Sequence, residues 1–266
     1  MFGVDRHQFV ELVWDYYVRN GRNLPWRSEP YDAYNILVSE VMLQQTQVIR
    51  VIPKYTDFIH RFPTVHDLAD APLAEVLRAW NGLGYNRRAK YLHEAAKALV
   101  TVEQPWEQRN LVACRGIGHN TSAAVVTYAY NQPVAFIETN IRSVYIHHFF
   151  SDKEQVDDKE ILPLVGMTLD QENPREWFWA LMDYGSHLKT AQGNAARSSK
   201  HYATQSPFQG SKRQIRGQVL KQLSIGPTSL IKLEGAIVDD RLGKVLEDLI
   251  QEGLISRISG VYRLAE

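Results

Sequence analysis

The sequence predicts a mainly α-helical protein that ends in a small module of three helices and a β-hairpin. Up to about residue 190, apolar residues recur at the three- and four-residue spacing of helices, with no convincing alternating strand between them. After residue 213 the pattern changes to three short helices and one alternating stretch. The chain has 266 residues, 44% of them hydrophobic, which is enough for one large domain and a small one.

Turn signals divide the first part into many short helices. Helical spacing is clearest in four places, which are Phe9 to Tyr16, Leu68 to Leu73, Val76 to Trp80 and Leu92 to Leu99. Proline and glycine pairs interrupt the pattern at Leu24-Pro25, Phe62-Pro63-Thr64, Gly82-Leu83-Gly84 and Gln132-Pro133. We therefore expect an all-α domain here.

The last segment predicts three helices and a hairpin. The helices are expected from about Gln214 to Leu223, Thr228 to Leu233 and Asp239 to Gln251. Gly253 would end the third, and LISRISGVYRL alternates around a Ser-Gly turn as a β-hairpin does. This arrangement is typical of a winged helix, a module that serves in DNA binding and also in protein contacts.

Composition excludes several classes of protein. Thirty basic and thirty acidic residues cancel, so the total charge predicts no polyanionic partner. The single cysteine, Cys114, predicts neither disulfides nor a thiolate metal site. Residues 1–18 lack the layout of a signal peptide, and no apolar stretch is long enough to span a bilayer. We expect a soluble, cytoplasmic protein with no membrane partner.

One stretch departs from this neutral balance. Residues 186–222 contain seven Lys or Arg and no Asp or Glu, whereas residues 151–176 lean acidic. A stretch of one sign is the pattern expected of a phosphate-backbone contact, and a solvated linker with a chance bias would look the same. The candidate DNA contacts in it are Lys200, Lys212 and Arg213.

The segment LVACRGIGHNTSAAVVTYAY, residues 111–130, predicts a helix, a tight Gly-Ile-Gly turn and a second helix. Asn120 or Thr121 is suited to cap the second helix. Glycines at 116 and 118 would let backbone N–H groups approach a phosphate without reading sequence. A plain turn is the alternative, but the flanking Arg115 and His119 favour phosphate binding.

Glu40 is the one acid in the apolar run VSEVMLQQTQV, residues 38–48. We expect it to be buried, and burial would keep its proton on near neutral pH, as suits a general acid. Helical spacing places Gln44 and Gln47 on the same face. A buried glutamate paired with an arginine is the alternative.

A second acid, Glu138, follows the apolar run Val134 to Ile137 and precedes Asn140. The plain interpretation is an acid at a helix start, where the helix dipole favours a carboxylate. A catalytic interpretation requires a second acid close in space. The histidines His119, His147 and His148 have no carboxylate or thiol at matching spacing, so we predict no metal site.

Five motifs carry a resemblance to a known family: LPWR at 24–27, PYDAYNILVSEVMLQQTQVIRVIPKY at 30–55, FPTVHDLADAPLAEVLRAWNGLGYNRRAKYLHEAA at 62–96, RGIGHNTSAA at 115–124 and ALMDYG at 180–185. They strongly resemble adenine DNA glycosylases of the MutY family, within the helix-hairpin-helix superfamily that includes endonuclease III. The resemblance runs from about residue 8 to 190.

The resemblance implies a helix-hairpin-helix DNA glycosylase fold over residues 1–190, with two α-helical subdomains and a cleft. A basic linker over 191–212 and the winged-helix-like module over 213–266 would follow. It also implies the site. The catalytic set is Glu40, Glu138 and Asn140; the base pocket is Trp26, Arg27, Leu43, Asp183 and Asn120; the DNA wedge is Gln44, Gln45 and Tyr85; the phosphate hairpin is Arg115, Gly116, Gly118 and His119.

Such a set suits the chemistry. A base inside a duplex cannot be reached, so it must be flipped out while wedge side chains fill the gap. Breaking the N-glycosidic bond builds positive charge on the sugar. One acid would serve the leaving base and one carboxylate would steady the cation, as in glycoside hydrolysis.

Three departures from the family pattern matter. Lys189 stands where the first of four iron–sulfur cysteines would be, and no cysteine follows, so we predict no cluster and no other cofactor. The family's domain for recognising 8-oxoguanine is missing, which leaves the preferred opposite base open. Glu138 replaces an Asp, and a carboxylate moved by about 1 Å can cost about 100-fold in rate.

We expect a monofunctional glycosylase that removes adenine opposite 8-oxoguanine or guanine. Asn120 stands where lyase members hold a Schiff-base lysine, and an amide is no nucleophile, so no β-lyase activity is expected. A uracil or thymine mismatch glycosylase and a non-catalytic damage-binding protein are the alternatives. The partner would be duplex DNA with a mismatched or oxidised base pair, bound by a monomer at a prokaryotic nucleoid.

Overall fold

The computed structural model describes residues 5–266, so residues 1–4 of the N-terminal stretch lie outside the described residues. The chain groups into two compact units. The first runs up to Ile36 and resumes over Gly118–Thr204. The second joins Leu37–Ile117 to Gln205–Glu266.

Helices build both units. The first contains α1 (Arg6–Asn20), the start of α2 (Ala33–Leu43), α8 (His119–Tyr130), α9 (Thr139–Phe149), α10 (Asp158–Thr168) and α11 (Pro174–Ala191). The second contains the end of α2, then α3 (Val48–Arg61), α4 (Val65–Asp70), α5 (Leu73–Ala79), α6 (Arg87–Leu99), α7 (Gln108–Ala113), α12 (Lys212–Ile225), α13 (Leu230–Ala236) and α14 (Leu242–Gln251). The mainly α prediction is confirmed.

Helix α11 is the centre of the first unit, because it packs against α1, α8 and α9. Its buried side chains include Trp177 and Phe178. Phe178 stacks on Phe136 with ring centroids 4.1 Å apart, and Phe9 meets Trp177 edge-on. Aromatic rings bury about 150–250 Å² each, so this cluster supplies much of the unit's hydrophobic stabilisation.

The second unit packs α6 against α4 and α5. Phe58 and Trp80 are fully buried in it and meet edge-on, with ring centroids 5.9 Å apart. The turn predicted at Phe62-Pro63-Thr64 starts a new helix, because Thr64 and Asp67 form a capping box at the N-terminus of α4. The predicted helical spacing is confirmed over residues 92–99 in α6. It is wrong over residues 68–73, because α4 ends at Asp70 and α5 begins at Leu73, and Leu12, in the predicted stretch 9–16, is 43% exposed.

The C-terminal prediction of three helices and a hairpin is confirmed, except that the second helix begins at Leu230, since Thr228 and Ser229 form a strand instead. Strands β1 (Thr228–Ser229), β2 (Ile255–Ile258) and β3 (Val261–Leu264) form an antiparallel sheet in the order β1-β3-β2. Ser259 and Gly260, with φ of 50° and 81°, form the hairpin turn, as the favoured two-residue turn requires. Within the second unit, α12 also packs against α5, and Arg78 Nε donates to Ser224 O.

The first half of the predicted linker is packed. Residues Ala195–Ser198 form a 3₁₀ turn, and the N–H of Ala196 donates to Ser143 Oγ at 3.2 Å. Backbone bonds also join Val156 to Ser198 and Lys200, so the stretch up to about residue 200 is folded into the first unit. The division into three successive domains stays a prediction. Over residues 5–266, no helix is both long and apolar enough to cross a membrane.

Candidate active site

Helix α2 is buried along most of its length, as its apolar sequence predicts. Val38, Ser39, Val41 and Met42 are at most 3% exposed. Glu40 is instead half-buried, as is Leu43. Burial of Glu40, which the sequence predicts, is therefore only partial, and the residue keeps some solvent access on this helix.

The glutamines after this helix do not continue its face. Helix α2 ends at Leu43, Gln44 to Thr46 form a turn, and Gln47 is the N-cap of α3. The prediction that Gln47 shares the face of Glu40 is therefore wrong. Its spacing of seven residues has meaning only while the helix continues.

Two of the three predicted wedge residues, Gln45 and Tyr85, share an uncommon backbone conformation. Their φ angles are 56° and 45°, the left-handed region that non-glycine residues seldom adopt. Such conformations cost about 1–3 kcal/mol each and are concentrated at functional sites. Both residues are exposed. We call Gln45 and Tyr85 the wedge residues below.

Arg88, which the sequence analysis missed, holds both bends. Its guanidinium donates to the carbonyl oxygens of Val41 (2.8 Å), Met42 (2.9 Å), Gln44 (2.6 Å) and Gly84 (3.1 Å). Burial lowers the pKa of Arg88 to about 10, so the group stays charged at neutral pH. An arginine in the run YNRRAKY carries no local signal that it will bond to a distant helix end.

The predicted helix–turn–helix at residues 111–130 is present between α7 and α8. Gly116 has φ of +86°, and a Cβ there would lie 2.9 Å from the ring of Tyr91. Gly118 has φ of −84° and nothing within 4 Å of an added Cβ, so the fold itself does not require glycine there. The guanidinium of Arg115 lies over the Tyr91 ring at 4.6 Å.

The second hairpin helix begins earlier than predicted. Gly118 is its N-cap and His119, which is exposed, is its first residue. Asn120 and Thr121 lie inside the helix, so the expectation that one of them caps it is wrong. The Asn120 side chain instead donates from Nδ2 to Ile137 O at 2.8 Å. It thus fixes the peptide that precedes Glu138.

Two residues of the predicted base pocket, Arg27 and Asp183, form a buried ion pair in the first unit. Arg27 Nη1 and Nη2 each lie 2.9 Å from one oxygen of Asp183. Arg22 Nε donates to the same carboxylate at 2.7 Å, and the Asp183 side chain is 1% exposed. Asp183 therefore positions Arg27, whose guanidinium lies 5.3 Å from the ring centre of Trp179. Trp26 is buried in the adjoining 3₁₀ turn Pro25–Arg27.

Glu138 occupies the N-cap position of α9, as predicted, but its side chain makes no capping hydrogen bond. Burial raises the pKa of Glu138, and the Arg142 guanidinium and the Thr139 N–H lower it in part. Asn140 lies against Gly185 of α11, where an added Cβ would stand 2.4 Å from Asn140 O. The glycine of the ALMDYG motif therefore allows α11 to approach the helix start that carries Glu138 and Asn140.

The candidate basic contacts differ in their surroundings. Lys200 pairs with Asp157, at 3.6 Å, and Lys212 is exposed. Arg213 donates to the hydroxyl of Tyr85 at 2.9 Å, so it lies beside a wedge residue within the second unit. Over residues 5–266, no three His, Cys, Asp or Glu side chains converge as metal ligands would.

Comparison with known proteins decides the family. A family model described as HhH-GPD superfamily base excision DNA repair protein matches residues 38–162. The adenine DNA glycosylase of Mycolicibacterium smegmatis is 34% identical over 96% of this chain and 95% of that protein. That of Mycobacterium tuberculosis is 33% identical over 95% of this chain and 91% of that protein.

This chain belongs to the adenine DNA glycosylase family. The resemblance predicted from its motifs is confirmed, and the protein is a DNA glycosylase of base excision repair.

Solved structures with the same fold agree with this assignment to the helix-hairpin-helix glycosylases. A thermostable thymine-DNA glycosylase superimposes with a TM-score of 0.63 and 22% identity, covering 71% of this chain and 90% of the other. Endonuclease III in a non-covalent DNA complex superimposes with a TM-score of 0.59 and 17% identity, covering 71% of this chain and 89% of the other. At these identities the likeness concerns the fold.

This adenine DNA glycosylase does not offer the ligands of an iron–sulfur cluster. Such a cluster takes four thiolates, and the one cysteine of the chain, Cys114, is buried beside Asn110 O. Lys189 lies exposed in the last turn of α11. Asn194 caps the following 3₁₀ turn, so protein hydrogen bonds order the segment in which the family's cysteines would fall.

Proposed function

We propose that this glycosylase removes adenine from duplex DNA where adenine faces 8-oxoguanine or guanine. Its near-full-length similarity to adenine DNA glycosylases is the observation that supports this most. The half-buried acid Glu40 on an otherwise buried helix supports it further, because protonation of a ring nitrogen is a requirement of purine departure. DNA would bind as a duplex, to a monomer of this chain.

In this mechanism Glu40 donates its proton to the adenine ring as the N-glycosidic bond breaks. The bonding electrons leave with the base, and positive charge develops on the sugar. Glu138, ionised, stabilises that charge. Water then adds to the sugar carbon to leave an abasic site, and the proton that it loses restores the Glu40 acid. Arg142 favours the ionised form of Glu138 against the effect of burial. Asn140 and Arg27 would orient the extruded nucleoside.

We propose further that the enzyme is monofunctional and needs no cofactor. A lyase step requires an amine that forms a Schiff base with the sugar, and Asn120 offers an amide that is bonded to Ile137 O. No step of the hydrolysis requires a metal or an organic group. The hairpin around Gly116 and Gly118, together with Lys200 and Lys212, would contact phosphates.

Duplexes that carry A, U or T opposite G or 8-oxoguanine test the proposal. After incubation, alkali cleaves abasic sites. We expect strand cleavage at adenine alone, and Glu40→Gln should excise about 10²- to 10⁴-fold more slowly while binding duplex as before. Excision of U or T would support a mismatch glycosylase instead, and binding without any excision a damage-binding protein. A borohydride-trapped adduct would contradict the monofunctional assignment.

Glu138 needs its own variants because it replaces an Asp. If the pocket is adjusted to the longer side chain, Glu138→Asp should slow excision by about 100-fold, since a 1 Å displacement has that effect. Glu138→Gln removes the charge and should slow it at least as much. Excision by Glu138→Asp that is faster than wild type would mean that the pocket still fits the shorter acid.

A further inference from the structure

A cavity of about 580 Å³ opens within the second unit beside the wedge residues. One wall comes from the turns that carry Gln45 and Tyr85 and from the hairpin at Arg115 and Gly116. The segment 205–213 also lines it through Gln205, Ser206, Phe208 and Arg213, and the next turn of α12 does so through Arg216 and Gly217. We call residues 205–213 the clasp segment.

The clasp segment is hydrogen-bonded to both wedge residues. Gln205 Nε2 donates to Gln45 Oε1 at 2.9 Å. Arg213 Nη1 donates to Tyr85 Oη at 2.9 Å, and the Arg213 guanidinium lies 5.7 Å from the centre of the Tyr85 ring. Arg213 also contacts Gln205 Oε1 at 3.4 Å and the carbonyl of Ser206, which links the two contacts into one network.

The lining of the cavity combines positive charge with aromatic rings. Among the described residues that line it, six are arginines: Arg50, Arg87, Arg88, Arg115, Arg213 and Arg216. The acid among them, Glu252, is paired with Arg216 at 3.1 Å. Tyr85, Tyr91 and Phe208 contribute rings, and Phe208 is 59% exposed.

These features fit a nucleobase better than a phosphate alone. A phosphate uses guanidinium groups but has no use for aromatic faces, whereas bases stack on such faces with any sequence. A guanidinium that also forms two parallel bonds selects O6 and N7 of guanine. The volume lies within the range of about 300–1,000 Å³ of small-molecule sites, so one base fits.

We propose that the clasp segment and the wedge residues form a pocket for the base left unpaired in the complementary strand, and that Gln205 and Arg213 set its preference for a guanine-type purine. The inference rests on the proposed function, because an extruded base leaves its partner beside the wedge. Groups bonded to both wedge residues lie next to that partner. In the free protein, hydrogen bonds to the wedge residues already hold the Arg213 and Gln205 side chains where they would contact that unpaired base.

Equilibrium binding tests the pocket without requiring excision. Four duplexes carry a stable abasic analogue opposite G, 8-oxoguanine, C or T. We expect wild type to bind the G duplex at least about tenfold more tightly than the C and T duplexes, since a good guanidinium pair to O6 and N7 contributes about 1–3 kcal/mol of discrimination. In 8-oxoguanine N7 carries a hydrogen and cannot accept, so its duplex, with O6 and O8 as acceptors, should bind between these limits. Arg213→Ala and Gln205→Ala should reduce the ratio of G to pyrimidine affinity, Arg213→Ala nearly to one.

Lys212 provides the matched control. It precedes Arg213 on the same helix, is exposed and does not line the cavity, so Lys212→Ala should weaken all four duplexes by the same factor. Arg213→Lys keeps the charge without the planar fork and should lose the ratio while keeping most of the affinity. Thermal unfolding checks that each variant is folded. If Arg213→Ala does not fold, the binding ratio of Arg213→Lys decides the result.

The two proposals fail separately. Absence of adenine excision by wild type would reject the proposed function, and the binding ratios would still judge the pocket. Equal binding of all four duplexes by wild type, or an unchanged ratio in folded Arg213→Lys, would overturn the pocket. A loss of ratio in Lys212→Ala as large as in Arg213→Ala would overturn it too, because charge alone would then explain the effect.

Discussion

Gln45 and Tyr85 both adopt a left-handed backbone, and one guanidinium bonds to the peptide group that precedes each of them. Arg88 donates to Gln44 O at 2.6 Å and to Gly84 O at 3.1 Å. Each left-handed residue costs about 1–3 kcal/mol, which an otherwise free turn would relieve by relaxing. The buried arginine therefore keeps both wedge side chains in fixed directions before any DNA is present.

Arg88→Lys should lower the free energy of unfolding by at least about 2 kcal/mol, because an ammonium cannot reach all the carbonyls and buried acceptors left unpaired cost about 1–3 kcal/mol each. Urea unfolding measures this change. Single-turnover excision should slow as well, since the wedge turns lose their anchor. Arg87→Lys is the control, because Arg87 is adjacent and exposed. Equal stability of the two variants would contradict the role assigned to Arg88.

Asp183→Asn should destabilise the first unit by about 3–5 kcal/mol, because it leaves the guanidinium of Arg27, only 6% exposed, without a counter-charge. Arg22→Ala should cost clearly less, since the Arg22 side chain is 32% exposed and Asp183 would still pair with Arg27. Guanidinium unfolding of both variants checks the order. A larger loss in Arg22→Ala would show that Arg22 is the main partner of Asp183.

Local chemistry explains what the sequence predicts well in this protein. The Ser259-Gly260 turn needs only two adjacent residues that tolerate positive φ, and it is found where the alternation predicts it. The turns predicted at Gly116 and at Phe62-Pro63-Thr64 likewise depend on neighbours within a few residues. Such elements are determined by short-range contacts, so a single sequence suffices to find them.

Contacts between distant segments explain what the sequence does not predict. Arg88 bonds to the end of α2, Asn120 bonds to Ile137, and Gln205 bonds to Gln45. In each case the partner is chosen by how loops pack, and nothing near the residue in the chain indicates it. Gln47 shows the converse case, because helical spacing predicts its position only as far as the helix continues, and α2 ends at Leu43.

Glu138→Gln should be more stable than wild type at pH 7 and lose that advantage near pH 4. Burial raises the pKa of Glu138 in the folded protein above its ordinary value of 4.5. The folded state therefore holds the proton more tightly, and wild-type stability falls as pH rises from 4.5 through the folded pKa. Melting temperatures at pH 4 and 7 measure this. Glu234→Gln, at an exposed position, controls for the lost charge; a pH-independent difference would contradict the shift.

His148→Phe should lose less stability than wild type as the pH falls. Burial, together with His147, lowers the pKa of His148 to about 4, so the folded state favours the neutral ring. Stability is then lost as pH falls from 6.5 through 4. Phenylalanine keeps the stacking on Tyr184 without a proton site. Melting at pH 7 and 4.5 tests this, with His187→Phe, at an exposed histidine, as control. Parallel pH profiles of wild type and His148→Phe would refute it.

Alanine should lower the stability of the protein at one of the two hairpin glycines and leave it unchanged at the other. Gly116→Ala places a Cβ 2.9 Å from the Tyr91 ring at φ of +86°, so the free energy of unfolding should fall by more than about 1 kcal/mol. Gly118→Ala meets nothing within 4 Å at an ordinary φ, so stability should be kept.

Affinity for duplex DNA should distinguish Gly118→Ala from wild type. A methyl group on residue 118 would stand where a DNA phosphate approaches the N–H groups at the start of α8. Gly118→Ala should therefore bind undamaged duplex at least about tenfold more weakly than wild type. One phosphate contact is comparable to a charge-assisted hydrogen bond, which contributes about 1.5–3 kcal/mol. Fluorescence anisotropy at fixed salt measures the affinity. A stable Gly118→Ala that binds duplex as wild type does would mean that the hairpin does not hold the backbone of DNA, and that its glycine serves neither fold nor partner.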